Sequence, residues 1–575
     1  MGWHSTLTQT NSLRYKTKSY SSFQKPRLKL RICLMPMLDD EHWKARPYIH
    51  LRRVDGEVKV RGTATHFEGN DTDSDSFTEN PSRGVFAFWS WSANRLTVRN
   101  DRYGFYPLFY FVRRDEIAVS TSILKLLALG ASPEFDVAGL AVFLRTGSFV
   151  GERTPFKEIH AFPPNAVAEW EDGCWALSGG PRLPQLQALT FDQAVDGYIS
   201  LFRAAIRKRV RSGERVALPL SGGRDSRHIL LELCQAGHRP NFCMTVEVHP
   251  PRSNADVGIA KTLAAAVNIE HFVVPQPRSQ LKQELHKNSI TEFLAEHPAW
   301  ALAIEAFLRN KADVSYHGIA GDLLSGNFMT PALLKSYELG MIDDCARHHL
   351  DIHNNEVVLE SCLEPHAYQT FNRQLALENI YEQVKVTERA PSPSALHYFW
   401  TRTRRNISLM PFRILNRSIE IRAPYLDYDL YDFLASLPPS FQMENDLHTS
   451  VIQRAFPEYK DIGYASGGLS ISGHSYRIHI LNVLNYLIFN RSKLINRSWL
   501  CSVLLSAVIR NDFRFVMKLN IRRILCLIQL ENFVEKRAWV NFRVSDETKS
   551  VQSLYGSPEI SRGGTLSQPG TNEAG

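Results

Sequence analysis

Apolar and polar positions along the chain fall into two regimes. Between residues 84 and 121, "GVFAFWSWS", "RLTVRND" and "PLFYFVRRDEIAVSTS" alternate or cluster β-branched and aromatic residues. Turn residues such as Ala93-Asn94 and Tyr103-Gly104 separate them, which predicts strands. Residues 136 to 145 read as a helix, and "FPPNAVAEWEDGCWAL" returns to strand, turn, strand. After "SGGPRLPQLQ", residues 178 to 187, whose composition is that of a linker, the period changes. Residues 191 to 212 place Val195, Ile199, Phe202, Ala205 or Ile206, and Val210 on one helical face. The strand "RVALPL", a helix, the strand "NFCMTVEV", a helix from Asn254 to Val267, the strand "HFVVP", a long helical stretch and the strand "ADVSYHG" follow. Such alternation predicts a parallel sheet covered on both faces. Residues 331 to 460 and 475 to 540 read as mostly helical.

The expected organisation is therefore an unstructured or mis-assigned start (1–45), a β-rich domain (46–180), a sheet-and-helix domain (190–470), a helical extension (471–543) and a disordered polar tail (544–575). With 575 residues, 44% hydrophobic and 22% charged, the chain is long enough for two cores, which excludes fibrous and disordered classes.

Charge adds little. Of the net +8, seven units sit in residues 1 to 38 (Arg14, Lys16, Lys18, Lys25, Arg27, Lys29, Arg31, with no acid). A second basic run, 475 to 543, holds twelve Lys/Arg against three Asp/Glu, with Trp499, Phe513, Phe515 and Trp539 interleaved. Solvated faces and core aromatics account for both runs, so nucleic acid is not expected as a partner. The longest apolar run, "WLCSVLLSAVI", ends at Arg510, short of the ~20 residues a bilayer demands, so no membrane span is expected. The eight cysteines are scattered and form no Cys-x-x-Cys pair, which fits a reducing cytoplasm. "DDCARHHLDIH" sets Cys345, His348, His349 and His353 at helical spacings that could converge on zinc, with no distant fourth ligand evident.

The chemistry concentrates in "LPLSGGRDSRHILLEL", residues 218 to 233, where a loop joins a buried strand to a helix. Gly222 and Gly223 allow a tight turn with exposed backbone N–H groups, Ser221 and Ser226 add hydroxyls, and the helix N-terminus adds partial positive charge. Such a nest suits phosphate oxygens. It is neither a Walker A loop nor Gly-x-Gly-x-x-Gly. A carboxylate at Asp225 would repel a triphosphate unless a divalent cation lay between them, so magnesium and a second carboxylate are implied.

"LSGGRDS" resembles the pyrophosphate loop of the asparagine synthetase family, and further segments agree in order and spacing. "YHGIAGDLLSGN" resembles the family's Gly-Asp-Gly-Gly-Asp-Glu-Leu-Phe-Gly-Gly, and "IEIRAPYLDYDLYDFLASLP" its Arg-x-Pro-Phe-Leu-Asp stretch. "GVFAFWSW", "VRNDRYGFYPLFYF" and "PFKEIHAFPPNAVAEW" resemble the later part of its glutaminase domain, and the whole covers residues 83 to 460. The resemblance implies an α/β protein. A β-rich Ntn-hydrolase-like (glutaminase-type) domain would precede a parallel-sheet adenine-nucleotide-hydrolase-like (PP-loop) synthetase domain with a helical C-terminal extension.

It also implies a reaction. A substrate carboxylate, aspartate or a related small-molecule or peptide acid, attacks the α-phosphorus of ATP, and an amine or ammonia then displaces AMP to form an amide. By match to the motif, Leu220, Ser221, Gly222, Gly223 and Ser226 would grip pyrophosphate, and Asp225 and Asp322 would be the catalytic pair holding Mg2+. Thr245, in "MTVEV", would lie near the adenine, and Gly318 would line the acyl-adenylate pocket. Arg422 and Asp427 belong to the Arg-x-Pro-Phe-Leu-Asp match, either as a structural ion pair or as substrate contacts. A homodimer is compatible with this reading.

Departures from the family accompany the matches. Glutamine hydrolysis requires a cysteine at the mature N-terminus, whose free amine activates the thiol, whereas this chain begins Met1-Gly2-Trp3 and Cys33 lacks the Cys-Gly-Ile setting. No glutaminase activity is expected, and nitrogen would come from ammonia or an amine, as in the related β-lactam synthetases and lasso-peptide cyclases. Ile319 and Leu323 replace acids flanking the magnesium aspartate, and the lysine that stabilises the adenylate has no convincing equivalent in Lys460 or Tyr464. A tRNA-modifying adenylase and a non-catalytic nucleotide-binding relative remain as alternatives.

Overall fold

The computed structural model describes residues 43–70, 83–247, 254–297, 299–326, 329–352, 354–443, 446–465 and 473–537. The expectations for the chain start, the tail, Cys33, His353 and Trp539 lie outside the described residues.

The front domain is two five-stranded antiparallel sheets. One runs β2 (Glu57–Gly62), β1 (Tyr48–Val54), β7 (Glu116–Ser120), β6 (Phe109–Arg113), β8 (His160–Ala161). The other runs β10 (Cys174–Ser178), β9 (Val167–Glu171), β5 (Arg95–Asn100), β4 (Val85–Ser92), β3 (Thr65–Asn70). Three hairpins close through two residues that both have positive φ: Asp55-Gly56, Ala93-Asn94 and Asp172-Gly173. That backbone matches the twist of the flanking strands, and Asp-Gly is the sequence signal for it.

The second domain holds a five-stranded, wholly parallel sheet in the order β13 (His271–Val274), β12 (Phe242–Val246), β11 (Val216–Pro219), β14 (Val314–Tyr316), β15 (Glu420–Arg422). Strands β11 to β13 are laid down in one direction and β14 on the other side of β11, so the order reverses between β11 and β14. In open α/β sheets, ligands bind at the carboxyl ends of strands flanking such a reversal.

Three expectations need correction. The strand β15 falls inside a region expected to be helical; with only three residues it leaves no period to read. The helix beginning at Phe191 ends at Arg207, not 212, with Lys208 as its C-cap and a turn directly after it. The long helical stretch before β14 is two helices, Leu281–Ile290 and Ala301–Leu308, with Glu292 and Phe293 at positive φ between them.

One continuous core joins the domains, from Ile49 and Trp89 through Phe202 and Leu218 to Leu434. The Tyr103 ring packs 5.5 Å from Phe399, 5.5 Å from Tyr428 and 5.0 Å from Tyr431, and Arg102 donates to Asp432 at 3.0 Å. The helical extension (Gly473–Phe489, Arg497–Arg510, Ile521–Glu535) docks through Arg523, which pairs with Glu296 at 2.8 Å and donates to the Arg145 carbonyl at 2.6 Å. Phe513 is buried, and Trp499 packs on the more exposed Phe515, so these aromatics are structural in part. No described helix is long and apolar enough to cross a membrane.

Candidate active site

The loop after β11 and the loop after β14 meet at the reversal. Leu220 is buried and its N–H donates to the Met244 carbonyl at 2.8 Å, which fixes where the glycine turn begins. Thr245 donates to the Leu220 carbonyl at 2.6 Å and stands 2.7 Å from His271 Nε2, so its hydroxyl clamps the loop to the neighbouring strand.

The loop's amides are not free. Ser221 N–H donates to Ser226 Oγ at 3.0 Å, Gly222 N–H to Asp256 Oδ1 at 2.8 Å, and Gly223 N–H to Ser221 Oγ at 3.2 Å. The expected nest is therefore occupied by neighbouring side-chain oxygens, which satisfy its backbone N–H groups. Phosphate oxygens would replace those acceptors.

Asp225 opens the helix Asp225–Gln235 but does not cap it; Arg224 occupies the N-cap position and makes no side-chain cap bond. Instead Asp225 Oδ2 accepts from the backbone N–H of Asp322 at 2.9 Å. Its other oxygen, Oδ1, is buried without a hydrogen-bond partner. Burial, and next the charge of Asp322, push the Asp225 carboxyl well above the usual carboxylate range. Solvent reaches Asp322, yet the protein mass crowding around it still raises its carboxyl, against the field of Arg402. Two carboxylates at one site, one of them with an oxygen buried and without a hydrogen-bond partner, are a donor set that fits magnesium. Two protein carboxylates plus phosphate and water oxygens complete such a shell; no group of three or more His, Cys, Asp or Glu side chains placed to hold a metal occurs among the described residues.

Two glycines make this approach possible. A methyl added at Gly318 would lie 2.7 Å from Asp225 Cβ, and one at Gly321 2.6 Å from Asp225 Cγ. Because the Asp225 Cβ is fixed to its helix, Gly318→Ala must displace backbone. We expect about 1–3 kcal/mol of destabilisation, read by thermal unfolding; a Gly318→Ala protein as stable as the wild type would refute the packing argument. Between these glycines Ala320 holds φ 72°, the left-handed region, where the family segment has glycine. A non-glycine residue there carries about 1–2 kcal/mol of strain.

Ile319 and Leu323, which stand in place of acids, are both buried in the core. Lys460 is exposed, and Tyr464 is wedged against Arg224 and Arg227, their guanidinium carbons 4.6 and 4.0 Å from its ring centroid. Arg422 and Asp427 do not pair with each other. Arg422 binds Glu214 at 2.6 Å and Glu420 at 2.9 Å, while Asp427 binds Lys208 at 3.2 Å and Arg209 at 3.1 Å. Both pairings brace secondary structure. Cys345 and His349 are buried, and His349 bonds Tyr337 at 2.8 Å and stacks on His397 at 4.1 Å, a core arrangement with no metal geometry.

Sequence reasoning missed His448. Its Nδ1 is 2.8 Å from Ser325 Oγ and 3.6 Å from Asp225 Oδ1, and its Nε2 is 3.2 Å from the Tyr425 hydroxyl. Ser325 spends its one proton on the Gly321 carbonyl at 2.6 Å, so Nδ1 carries the hydrogen and Nε2 accepts from Tyr425. Burial lowers the His448 pKa to about 3, which keeps the ring neutral. The network props the floor beneath Asp225. Tyr425, standing where the family stretch has Phe, was the one available signal.

A strand-turn-helix loop and a carboxylate pair at the reversal of a parallel sheet define the class: a PP-loop nucleotide-binding domain behind an antiparallel two-sheet domain. Residues 197–460 match the asparagine synthase family model and residues 76–178 the glutamine amidotransferase domain model. The chain thus carries, in order, the two domains that make up the asparagine synthetase family, whose members use ATP. It is 24% identical over 445 residues to the amidase chyE of Penicillium rubens, covering 63% of this chain and 64% of that one. It is 26% identical over 222 residues to the amidase chry2 of Gibberella zeae, covering 35% and 32%. The chain thus spans less than two thirds of either relative. Among solved structures, the U34-tRNA thiolase NcsA from Methanococcus maripaludis, with its [4Fe-4S] cluster, is similar at 12% identity over 59% of this chain and 85% of that one. Its TM-score of 0.22 is too low to carry an argument.

Proposed function

We propose that the chain is an ATP-dependent, AMP-forming amide-bond ligase. The observation that carries the reading is the meeting of Asp225 with Asp322, one carboxylate oxygen left buried and unpartnered, at the carboxyl ends of β11 and β14. The acid substrate's carboxylate oxygen bonds to the α-phosphorus of ATP as the bond to the β-phosphate oxygen breaks, giving an acyl-adenylate and pyrophosphate. A nitrogen nucleophile then bonds to the acyl carbon, AMP departs with the oxygen, and the nitrogen gives up a proton.

Ser221, Gly222, Gly223 and Ser226 bind the pyrophosphate, Thr245 holds the loop against β12, and Gly318 keeps the wall beside Asp225 open. Mg2+, when held by Asp225 and Asp322, supplies positive charge to the phosphate chain. That the two fungal relatives are amidases supports chemistry centred on amide bonds.

Ammonia or an amine is the nitrogen donor we propose, without glutamine hydrolysis by the four buried cysteines among the described residues. Burial pushes the thiols of Cys243, Cys362 and Cys526 up to about 12 and that of Cys345, helped by Asp344, to about 11, so none is a ready thiolate. The reading keeps magnesium as cofactor and a cytoplasmic setting. A second reading, nucleotide binding without turnover, draws support from Ile319 and Leu323, which put core aliphatics where the family has acids. ATP–pyrophosphate exchange across a panel of carboxylates separates the two: exchange with aspartate favours asparagine synthesis, exchange with other acids a different acceptor, and none with any acid the non-catalytic relative.

A further inference from the structure

Two consecutive residues of one helix meet two consecutive residues of the loop. In the helix Asp446–Ala455, Thr449 Oγ1 accepts from Arg224 Nε at 2.8 Å, and His448 Nδ1 lies 3.6 Å from Asp225 Oδ1. The other Asp225 oxygen already takes the Asp322 N–H, while Oδ1 has no hydrogen-bond partner.

His448 is buried, and so are Ser325, Tyr425 and Tyr198 around it. The hydroxyls of Tyr425 and Tyr198 stand 3.2 and 3.4 Å from Nε2, whose lone pair is therefore turned to tyrosines and is not offered to a metal. The imidazole presents one N–H, at Nδ1, between two acceptors: Ser325 Oγ at 2.8 Å and Asp225 Oδ1 at 3.6 Å.

Ser325 and Asp322 share the short helix Gly321–Ser325, which is itself held. The helix Pro393–Tyr398 packs on it and then widens into a π-helix over Phe399–Ile407. From the π-helix, Arg404 donates to the Gly151 carbonyl at 3.2 Å and the Phe162 carbonyl at 2.5 Å, Arg405 to the Arg153 carbonyl at 2.6 Å, and Asn406 to the Gly147 carbonyl at 2.8 Å. All four acceptors belong to the segment 147–162 of the front domain. The His448 donor thus sits in a braced frame, one short step from Asp225.

We propose that His448 is a positioning residue for the magnesium carboxylate: with Mg·nucleotide in the cleft its Nδ1–H bonds Asp225 Oδ1, fixing from one side the carboxylate plane that the Asp322 N–H fixes from the other. The inference rests on the reading of the cleft as a Mg·ATP site. A carboxylate oxygen outcompetes a hydroxyl as acceptor, since charge-assisted bonds are about twice as strong. Hydrogen bonds of ligand-free sites are often long and tighten in the complex. Each carboxylate oxygen that accepts one hydrogen keeps a lone pair for the cation.

Calorimetric binding of Mg·ATP and AMP to the wild type, His448→Asn, His448→Gln and Ser325→Ala, with thermal unfolding of each, tests it. Counting atoms from Cβ, the asparagine amide nitrogen stands where Nδ1 does and the glutamine amide nitrogen where Nε2 does, so only His448→Asn keeps the donor. His448→Gln should weaken Mg·ATP binding roughly 10- to 100-fold and leave AMP within about threefold, while His448→Asn should hold Mg·ATP within about threefold of wild type. Ser325→Ala keeps His448 and removes the rival acceptor, so it should cost stability without weakening Mg·ATP; it decides alone if the His448 variants do not fold. Wild-type Mg·ATP affinity in folded His448→Gln, equal losses in the two His448 variants, a parallel loss of AMP, or a loss in Ser325→Ala of about tenfold or more would overturn the assignment and leave the Mg·ATP reading intact. A wild type that takes up no Mg·ATP brings down that reading and this inference together.

Discussion

Asp225→Asn should abolish measurable Mg·ATP binding while leaving AMP, which does not depend on a bridging cation, much less affected. The substitution keeps the shape of the side chain and can still accept the Asp322 N–H, so the loss would report charge alone. Its size should exceed the roughly 10–100-fold that even outer partners of a metal command, and Asp322→Asn should match it. In the ligand-free protein the effect on stability should have the opposite sign or vanish. A carboxyl that burial and a neighbouring acid hold well above its usual range is costly to ionise, and an amide carries no such cost. Isothermal titration with thermal unfolding of the same samples reads both quantities. Wild-type Mg·ATP affinity in Asp225→Asn would remove the central premise.

The second large effect concerns the helical extension. Glu296 lies 2.8 Å from Arg523, both nearly inaccessible to solvent, and Gly147 must be glycine there because a methyl would fall 1.8 Å from Glu296 Oε2. Removing one partner of a buried pair costs about 3–5 kcal/mol, since the remaining charge stays buried and unpaired. Arg523→Ala should therefore lower the opening free energy of the helix Ile521–Glu535 by that amount, read by amide hydrogen exchange. A change below about 1 kcal/mol would show the pair to be incidental. The pH dependence follows. Burial alone would raise the Glu296 pKa, but the charge and hydrogen bond of Arg523 together with the neighbouring His297 and Arg522 outweigh it and hold the carboxyl at about 2, below the usual 4.5. A depressed carboxylate contributes stability that is complete above pH 4.5 and drains away as pH falls through about 2; in Arg523→Ala that loss should begin at higher pH.

Much of this could be read without coordinates. The loop and the period change after residue 187 follow from local rules, because strands and glycine turns have short signatures, whereas the second acid in "GIAGDLL" came from the resemblance to the family segment. What escaped was set by long-range packing. The three residues of β15 have no period of their own and become a strand only because β14 is beside them. Arg422 and Asp427 lie close in sequence but find their partners at 214, 208 and 209. The glycine signature predicts open amides in the loop, and only the fold brings Asp256 to Gly222. His448 is one polar residue on an ordinary helix until the chain folds it under Asp225.

The guanidinium and amide groups that reach from the π-helix into 147–162 have a practical corollary. They are rivets between two halves of the molecule, and the aromatic patch around Tyr103 is the plate they hold. Cutting the chain at residue 190 to isolate the back half would strip the acceptors from three buried donors, Arg404, Arg405 and Asn406. The front half thus serves the back half as masonry, bracing the π-helix from the far side.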